Sequence, residues 1–494
     1  MRLYAPTIVL SAFLLFLVQP IAGRILLPRF GGGAGVWATC LLFFQLMLLL
    51  GYLYSHWSVE RLRPRGQALV HGALLAASIL LLRLTPEIGR TLAAQVDPTM
   101  QLLWRLTLML GLPFFALSTS TPLLQAWYAR SRGSELPYRL FAFSNAGSLA
   151  ALLCYPVAVE PCLSLRSQTQ AWSGAYVLFA LLTGSLVALN LRGKAAAEAP
   201  HPAAGNPLAA PPGFREKLLW VLLAACPSAL LLAVTNLLTQ DVAPVPFLWI
   251  LPLSLYLASY ILCFARRPWY SSGLFTRMIT PALFVLALAL AYSGAGANLV
   301  LIIVILGVGL FICCMFCHGE LFRLKPEPRF LTHFYLMVSL GGALGGEFVA
   351  LLAPHVFREY LEFPITLAAC AGVAFLLAGR NTGSMIRLAL SLALIVYAAD
   401  FVYSPMNQAR FAARNFYGTV KVVDSGQGNS ALRTLYHGGI SHGSQWLAAG
   451  RRRQATTYYG PQSGGALAIQ NSASNGRRIG IIGLGPGTLA AYGR

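Results

Sequence analysis

The chain is a succession of apolar runs of about twenty residues each, the length an α-helix needs to cross a bilayer core. Thirteen such runs lie near 5–27, 34–55, 68–84, 101–127, 139–159, 172–191, 218–238, 244–265, 276–293, 297–317, 330–354, 363–379 and 384–403. Charged residues make up only 10% of the 494 residues against 57% hydrophobic, whereas soluble domains carry about 25% charge. An ordinary soluble protein is excluded. In hydrocarbon each segment must satisfy its own backbone hydrogen bonds, which a helix does and an open sheet does not. The fold class expected is therefore an all-α polytopic membrane bundle of twelve or thirteen helices.

No small-residue cleavage pattern follows the first run, so it reads as a retained helix. The first half of the bundle spans 1–192. A stretch at 193–216, rich in Pro and Ala, reads as a flexible cytoplasmic linker. The second half spans 217–403, and such a six-plus-six division is expected of transporters built as two halves. The architecture resembles the major facilitator layout. The formal net charge is +21, but 26 of the 36 Lys and Arg lie among the membrane segments. They follow a positive-inside bias rather than a nucleic-acid footprint. Alternate gaps hold 19 Lys and Arg against 6 in the others, which places the N-terminus in the cytoplasm. The nine Cys all precede residue 404 and read as small buried apolar residues.

Several polar groups interrupt the runs: Gln19, Gln45, Arg105, Asn145, Glu160, Asn236, Asp241, His318, Glu320, Glu347 and Asp400. Ionisable groups in a bilayer are costly and are functional candidates by default. Glu160, His318, Glu320 and Glu347 are the membrane candidates. Solute traffic by a cation would put one of these carboxylates on a central cavity, and packing would put them at interfaces or headgroups. Gly341–Gly346 favours close helix packing around Glu347. Cys314-Met-Phe-Cys317-His318 fits a haem-attachment spacing, but it ends an apolar helix facing the cytoplasm, where haem is not attached.

From Ser404 the chain turns polar, with ten Lys and Arg against a single acid, Asp424. Residues 416–423 and 432–437 flank turn chemistry at 424–430 and predict a β-hairpin. The region 404–476 reads as a β region. At 477–494, Arg477-Arg-Ile-Gly-Ile-Ile-Gly483-Leu-Gly485-Pro-Gly487 reads as an apolar strand entering a glycine turn, the start of a Rossmann-like unit. Such a loop admits a nucleotide or S-adenosyl ligand, or only a strand and turn. His437 and His442 lack a Cys or carboxylate beside them, so no metal site is expected.

The tail segments Arg414-Asn-Phe-Tyr-Gly-Thr419, Leu435-Tyr-His-Gly438, His442-Gly-Ser-Gln445, Thr456-Thr-Tyr-Tyr-Gly-Pro461 and Gly483-Leu-Gly-Pro-Gly487 resemble spermidine synthase-like proteins. With Pro28-Arg-Phe-Gly-Gly, Ser118-Thr-Ser-Thr-Pro-Leu-Leu-Gln125, Ser144-Asn-Ala-Gly-Ser-Leu149 and Cys317-His-Gly-Glu-Leu321, the chain is similar to the fused major facilitator/spermidine synthase family. The resemblance implies aminopropyl transfer from decarboxylated S-adenosylmethionine to a polyamine. It places Gln445, Tyr459, Gly483, Gly485 and Gly487 on the donor, which is decarboxylated S-adenosylmethionine or S-adenosylmethionine itself. It also implies a bacterial inner membrane. Gln454-Ala-Thr-Thr457 stands where soluble relatives carry an acidic pair, and the family's catalytic aspartates would lie beyond Arg494. The chain therefore reads as C-terminally truncated and inactive alone.

The alternatives are a transporter for a polyamine or another small solute, and an S-adenosylmethionine-dependent methyltransferase. The enzyme reading needs a cytoplasmic tail and hence twelve crossings, with 384–403 re-entrant or interfacial. Thirteen would carry the tail to the other side.

Overall fold

The computed structural model describes residues 3–31, 33–82, 97–132, 137–192, 211–240, 246–265, 269–292, 298–327, 330–379, 381–403, 409–471, 479–483 and 485–493. The first half holds α1 (Tyr4–Phe30), α2 (Ala34–Arg61), α3 (Pro64–Leu80), α4 (Pro98–Arg132), α5 (Pro137–Cys154), α6 (Glu160–Cys162) and α7 (Leu165–Arg192). The second holds α8 (Phe214–Gln240), α9 (Pro246–Phe264), α10 (Ser272–Tyr292), α11 (Leu299–Arg323), α12 (Leu331–Glu347), α13 (Ala353–Val356), α14 (Glu362–Ala378) and α15 (Thr382–Tyr403). Ten of the helical stretches among the described residues are long and apolar enough to cross a membrane. The shorter α3, α9 and α14 complete the bundle. This is a mostly helical polytopic membrane protein.

One apolar core lies in the first half around Leu14, Phe44, Phe114 and Trp172, and a larger one around Trp220, Leu286, Phe316 and Phe334 in the second half also takes in Leu41, Phe141 and Leu152 of the first. The halves meet through two main helix pairs, α2 with α12 and α5 with α9. In both pairs the second crossing of one half meets the fifth crossing of the other, so exchanging the halves exchanges the pairs. The fifth crossings also share a defect. A π-helical turn at Tyr155–Val159 separates α5 from α6, and another at Phe348–Leu352 separates α12 from α13. Each is followed by one residue and then a proline, Pro161 or Pro354. A proline has no N–H and its ring collides with the carbonyl four residues back. The wider π turn moves that carbonyl aside, and such turns cluster at functional sites.

Glycines set the closest contacts. A Cβ at Gly341 or Gly345 of α12 would meet the carbonyls of Val221 and Ala225 on α8, and one at Gly147 would lie 2.8 Å from the Val9 carbonyl on α1. Small residues at this spacing allow backbones to approach where lipid gives no hydrophobic drive for association. The glycine stretch before Glu347 is thus a packing surface.

α15 departs from the expectation of a re-entrant or interfacial segment. It is a continuous helix of 22 residues that packs lengthwise on α10 and α14. Its Asp400 is exposed near one end, so the charge does not interrupt the crossing. Counted along the described helices, α15 ends on the face of the bundle opposite the start of α1, which is where the tail begins. The tail contacts agree, since they fall on Gly35 at the start of α2 and on Glu359 and Glu362 between α13 and α14.

The tail is a four-stranded antiparallel meander, β1 (Phe411–Asn415), β2 (Gly418–Ser425), β3 (Leu432–His437) and β4 (Ile440–Trp446), in the order 1-2-3-4. The expected hairpin is β2–β3, paired from Val420↔His437 to Ser425↔Leu432, and β1 and β4 extend it. A short α16 (Gly464–Asn471) follows. The expected Rossmann strand is not formed among the described residues. Ile479, Ile481 and Ile482 are exposed and unpaired in a bend, whereas a parallel strand of that fold is buried on both faces. Gly483, Gly485 and Gly487 do adopt positive φ, so the turn is present without the strand.

A reporter fused ahead of α1 and one fused after Tyr403 are expected on opposite sides of the membrane, measured by compartment-specific enzyme activity; the same side for both would refute the thirteen passes. Gly345→Val is expected to abolish folded yield, and Gly372→Ala, with open space around it, to leave it unchanged.

Candidate functional site

A cavity of about 170 Å³ lies between the halves at mid-depth. Its walls come from α1, α2, α4 and α5 on one side and α8, α9 and α12 on the other. The polar lining is neutral: Ser11, Gln19, Gln45, Ser118, Thr121, Ser144, Asn145, Ser148 and Ser339, interspersed with Phe16, Phe44, Tyr52, Phe141, Tyr256 and Tyr260. No Asp, Glu, Lys, Arg or His is among its lining residues.

Most of the hydroxyls are tied to their own helices. Ser148 donates to the Ser144 carbonyl at 3.1 Å, and Thr121 and Ser144 share a bond of 3.1 Å between α4 and α5. Gln45 differs. Its Nε2 donates to Ser228 Oγ at 2.9 Å, and Ser228 Oγ donates to the Gly342 carbonyl at 2.8 Å, which joins α2 to α8 and α12 across the two halves. Gly346 leaves room for the amide, since a Cβ there would strike Gln45 Oε1. That oxygen is buried and has no hydrogen-bond partner among the described residues. An unpaired buried acceptor costs free energy unless something donates to it.

Towards the near face an aromatic layer closes the cavity. Phe141 stacks on Tyr335 at 5.0 Å between ring centroids and meets Tyr260 edge-on at 5.6 Å. Tyr260 stacks on His318 at 3.6 Å. The Tyr335 hydroxyl donates to Gln125 Oε1 at 3.0 Å, tying α12 to α4.

Towards the far face a second chamber of about 540 Å³ opens beneath the sheet. Residues of the two cavities succeed one another along the same helices: Thr39 then Leu41 on α2, Asn236 then Leu231 on α8, Val349 then Ala343 beside and on α12. The outer chamber is roofed by Asn415, Phe416, Tyr417 and Gly418 at the β1–β2 turn and by His437 and His442.

The ionisable candidates of the bundle line neither cavity. Glu160 pairs with Arg24 at 3.5 Å near the far face. Glu320 accepts bonds from Tyr270, Ser272 and Arg323 at 2.6 to 2.9 Å. Glu347 is exposed on α12. His318 is fully buried behind Tyr260, 2.8 Å from Ser259 Oγ. Among the described residues no group of three or more His, Cys, Asp or Glu could hold a metal. The neutral Gln19, Gln45 and Asn145, also visible as polar interruptions, are the ones brought together. The hydroxyls at Ser118, Thr121, Ser144 and Ser148 complete them, and their three- and four-residue spacing is the signal that marks one helix face. In the tail, Tyr459 approaches Gly485, and Tyr492 donates to the Tyr459 carbonyl at 2.7 Å. Gln445 instead turns to the Arg452 carbonyl at 3.3 Å. None of these residues, nor Gly483 or Gly487, lines either cavity.

No family model matches the chain. No curated protein matches it either. Among solved structures, a point mutant of the nucleoside transporter NupG is 12% identical at TM-score 0.44, covering 78% of this chain and 99% of that one. NupG itself is 14% identical at TM-score 0.42, covering 82% and 99%. A double tryptophan mutant of XylE is 12% identical at TM-score 0.43, covering 81% and 96%. The aminopropyl-transfer reading is corrected by the structure of the chain itself. The physical reasons are that the glycine turn has no strand behind it among the described residues and that the two cavities lie in and above the bundle.

Tyr335→Phe removes the one hydrogen bond that the buried Gln125 side chain makes among the described residues. A loss of about 1–3 kcal/mol is expected, measured by thermal unfolding in detergent; an unchanged midpoint would show that the bond carries no stability.

Proposed function

We propose that the chain is a membrane transporter for a small, uncharged, polar solute with a flat or apolar face. The observation that carries this reading is the neutral cavity shared by both halves, with Gln45 bridging them and leaving one acceptor unpaired. An amide, hydroxyls and aromatic rings suit a ligand that donates hydrogen bonds on one edge and stacks on the other. At about 170 Å³ the space lies below the ~300–1,000 Å³ of drug-sized sites, which points to a solute of monosaccharide or nucleobase dimensions.

A polyamine is disfavoured on the same grounds. Moving a dication from water into this cavity would leave its charges without a carboxylate, at a cost that hydroxyls do not offset. Transport follows if the halves rock about the cavity. The near face is closed by the Tyr335–Phe141–Tyr260 layer, while the helix surfaces lead on to the outer chamber. The two π turns sit where such movement would bend the interface helices.

The test is uptake into proteoliposomes of labelled uracil and glucose as uncharged probes, with putrescine as the dication. Uptake of an uncharged probe is expected, and Gln45→Leu should slow it about tenfold, equivalent to ~1.4 kcal/mol. Putrescine uptake without any uncharged solute would overturn the proposal, as would unchanged rates in the Gln45 variant.

A further inference from the structure

The C-terminal sheet does more than follow the last helix. Its β1–β2 turn lies over the outer chamber, and its attachment to the bundle is a buried ionic contact. Arg414 of β1 gives two hydrogen bonds to Glu362 at the start of α14, Nη1 to Oε2 at 3.0 Å and Nη2 to Oε1 at 2.7 Å. The side chains are 4% and 1% exposed. Nη1 also donates to the Glu359 carbonyl at 2.9 Å, and the guanidinium covers the Tyr360 ring at 4.1 Å. Lys421 of β2 pairs with Glu359 at 3.4 Å.

At the other rim the contact is backbone on backbone. The Phe416 carbonyl lies where a Cβ at Gly35 would be, and the Phe416 ring packs on the core of the first half. The sheet thus holds the second half by charge and the first half by a glycine-sized seat. A body fastened to both halves restrains them from separating at that face.

We propose that the sheet is a latched lid: Arg414–Glu362 holds it over the outer chamber, and solute reaches the central cavity when that latch opens. The proposal takes its meaning from the transport reading, while its geometry stands independently. The bonding fits a latch better than a permanent seam. A buried Arg–carboxylate pair is strongly directional but gives little net gain over apolar contact, so it holds in one geometry and is costly when half broken. Burial raises the Glu359 carboxyl above its ordinary value, with Lys421 and Arg414 pulling it back. Because Glu362 takes two bonds from Arg414 whereas Glu359 has one looser contact with Lys421 at 3.4 Å, losing the charge at Glu359 should matter less than losing it at Glu362.

The test reads access to the chamber with a membrane-impermeant maleimide in the full-length protein. Thr39→Cys places a thiol on the chamber wall, in a Cys162→Ser background because Cys162 is exposed. Slow labelling is expected with the latch intact, at least about tenfold faster labelling with Glu362→Gln, and a smaller rise with Glu359→Gln. Equal rates in all three would overturn the lid, as would fast labelling with the latch intact.

Glu359→Cys with Lys421→Cys, joined by a short bis(methanethiosulfonate) reagent that forms a disulfide to each cysteine with loss of methanesulfinate, keeps the proposal testable if Glu362→Gln fails to fold. The linker should suppress labelling at Thr39→Cys and stop uptake, and reduction should restore both; uptake that continues while linked would overturn the lid. A protein that takes up nothing, linked or reduced, refutes the transport reading alone, because the labelling rates still decide the lid.

Discussion

Within hydrocarbon a helix gains nothing by turning apolar side chains from lipid to a neighbouring helix, so association depends on close backbone approach and on interhelical hydrogen bonds. The rest of this structure depends on that constraint. Gly341 and Gly345 bring α12 onto α8, and Gly147 brings α5 onto α1. These contacts join helices within each half. Between the halves the fit is looser: the Gln45–Ser228–Gly342 chain and the Tyr335–Gln125 bond cross the gap, and a cavity remains at its centre. Tight packing inside each half and sparse polar contacts between them favour movement of one half against the other.

The chemistry of the cavity follows from the same constraint. A charge on its wall would have to be paired or hydrated, and the carboxylates of the bundle are accounted for elsewhere. Glu160 has Arg24, Glu320 has Arg323, and Glu362 has Arg414. What lines the central cavity are groups that tolerate partial satisfaction: amides, hydroxyls and ring faces. The tail closes the far end of that path, using the buried Arg414–Glu362 pair on one half and the Gly35 seat on the other.

Much of the bundle was legible in the sequence because a crossing announces itself by length and composition. The β2–β3 hairpin was legible too, while most of the expected linker, 193–210, lies outside the described residues. Arg387 and Asp400 suggested an interfacial helix at 384–403, yet α15 is by length and composition among the helices able to cross a membrane. The glycine turn at 483–487 implied a strand before it, but a strand needs a partner to pair with, and Ile479–Ile482 has none among the described residues. The site was harder to read. Gln19, Gln45 and Asn145 stood out as polar residues, but helices that are apolar all round do not reveal which face turns to the partner half. The ionisable residues attracted the functional reading, and the structure pairs most of them away from the cavity.

The central claim is that the two halves move about a neutral cavity and open its ends in alternation. Distances between paired spin labels test it most directly. One pair, at Arg63 and Lys325, reads the near face of the two halves, and the other, at Arg166 and Arg358, reads the far face; all four positions are exposed. Adding a transported uncharged solute should shift the two distance distributions in opposite senses, one face closing as the other opens. Distributions that stay fixed, or that shift together, would contradict the account.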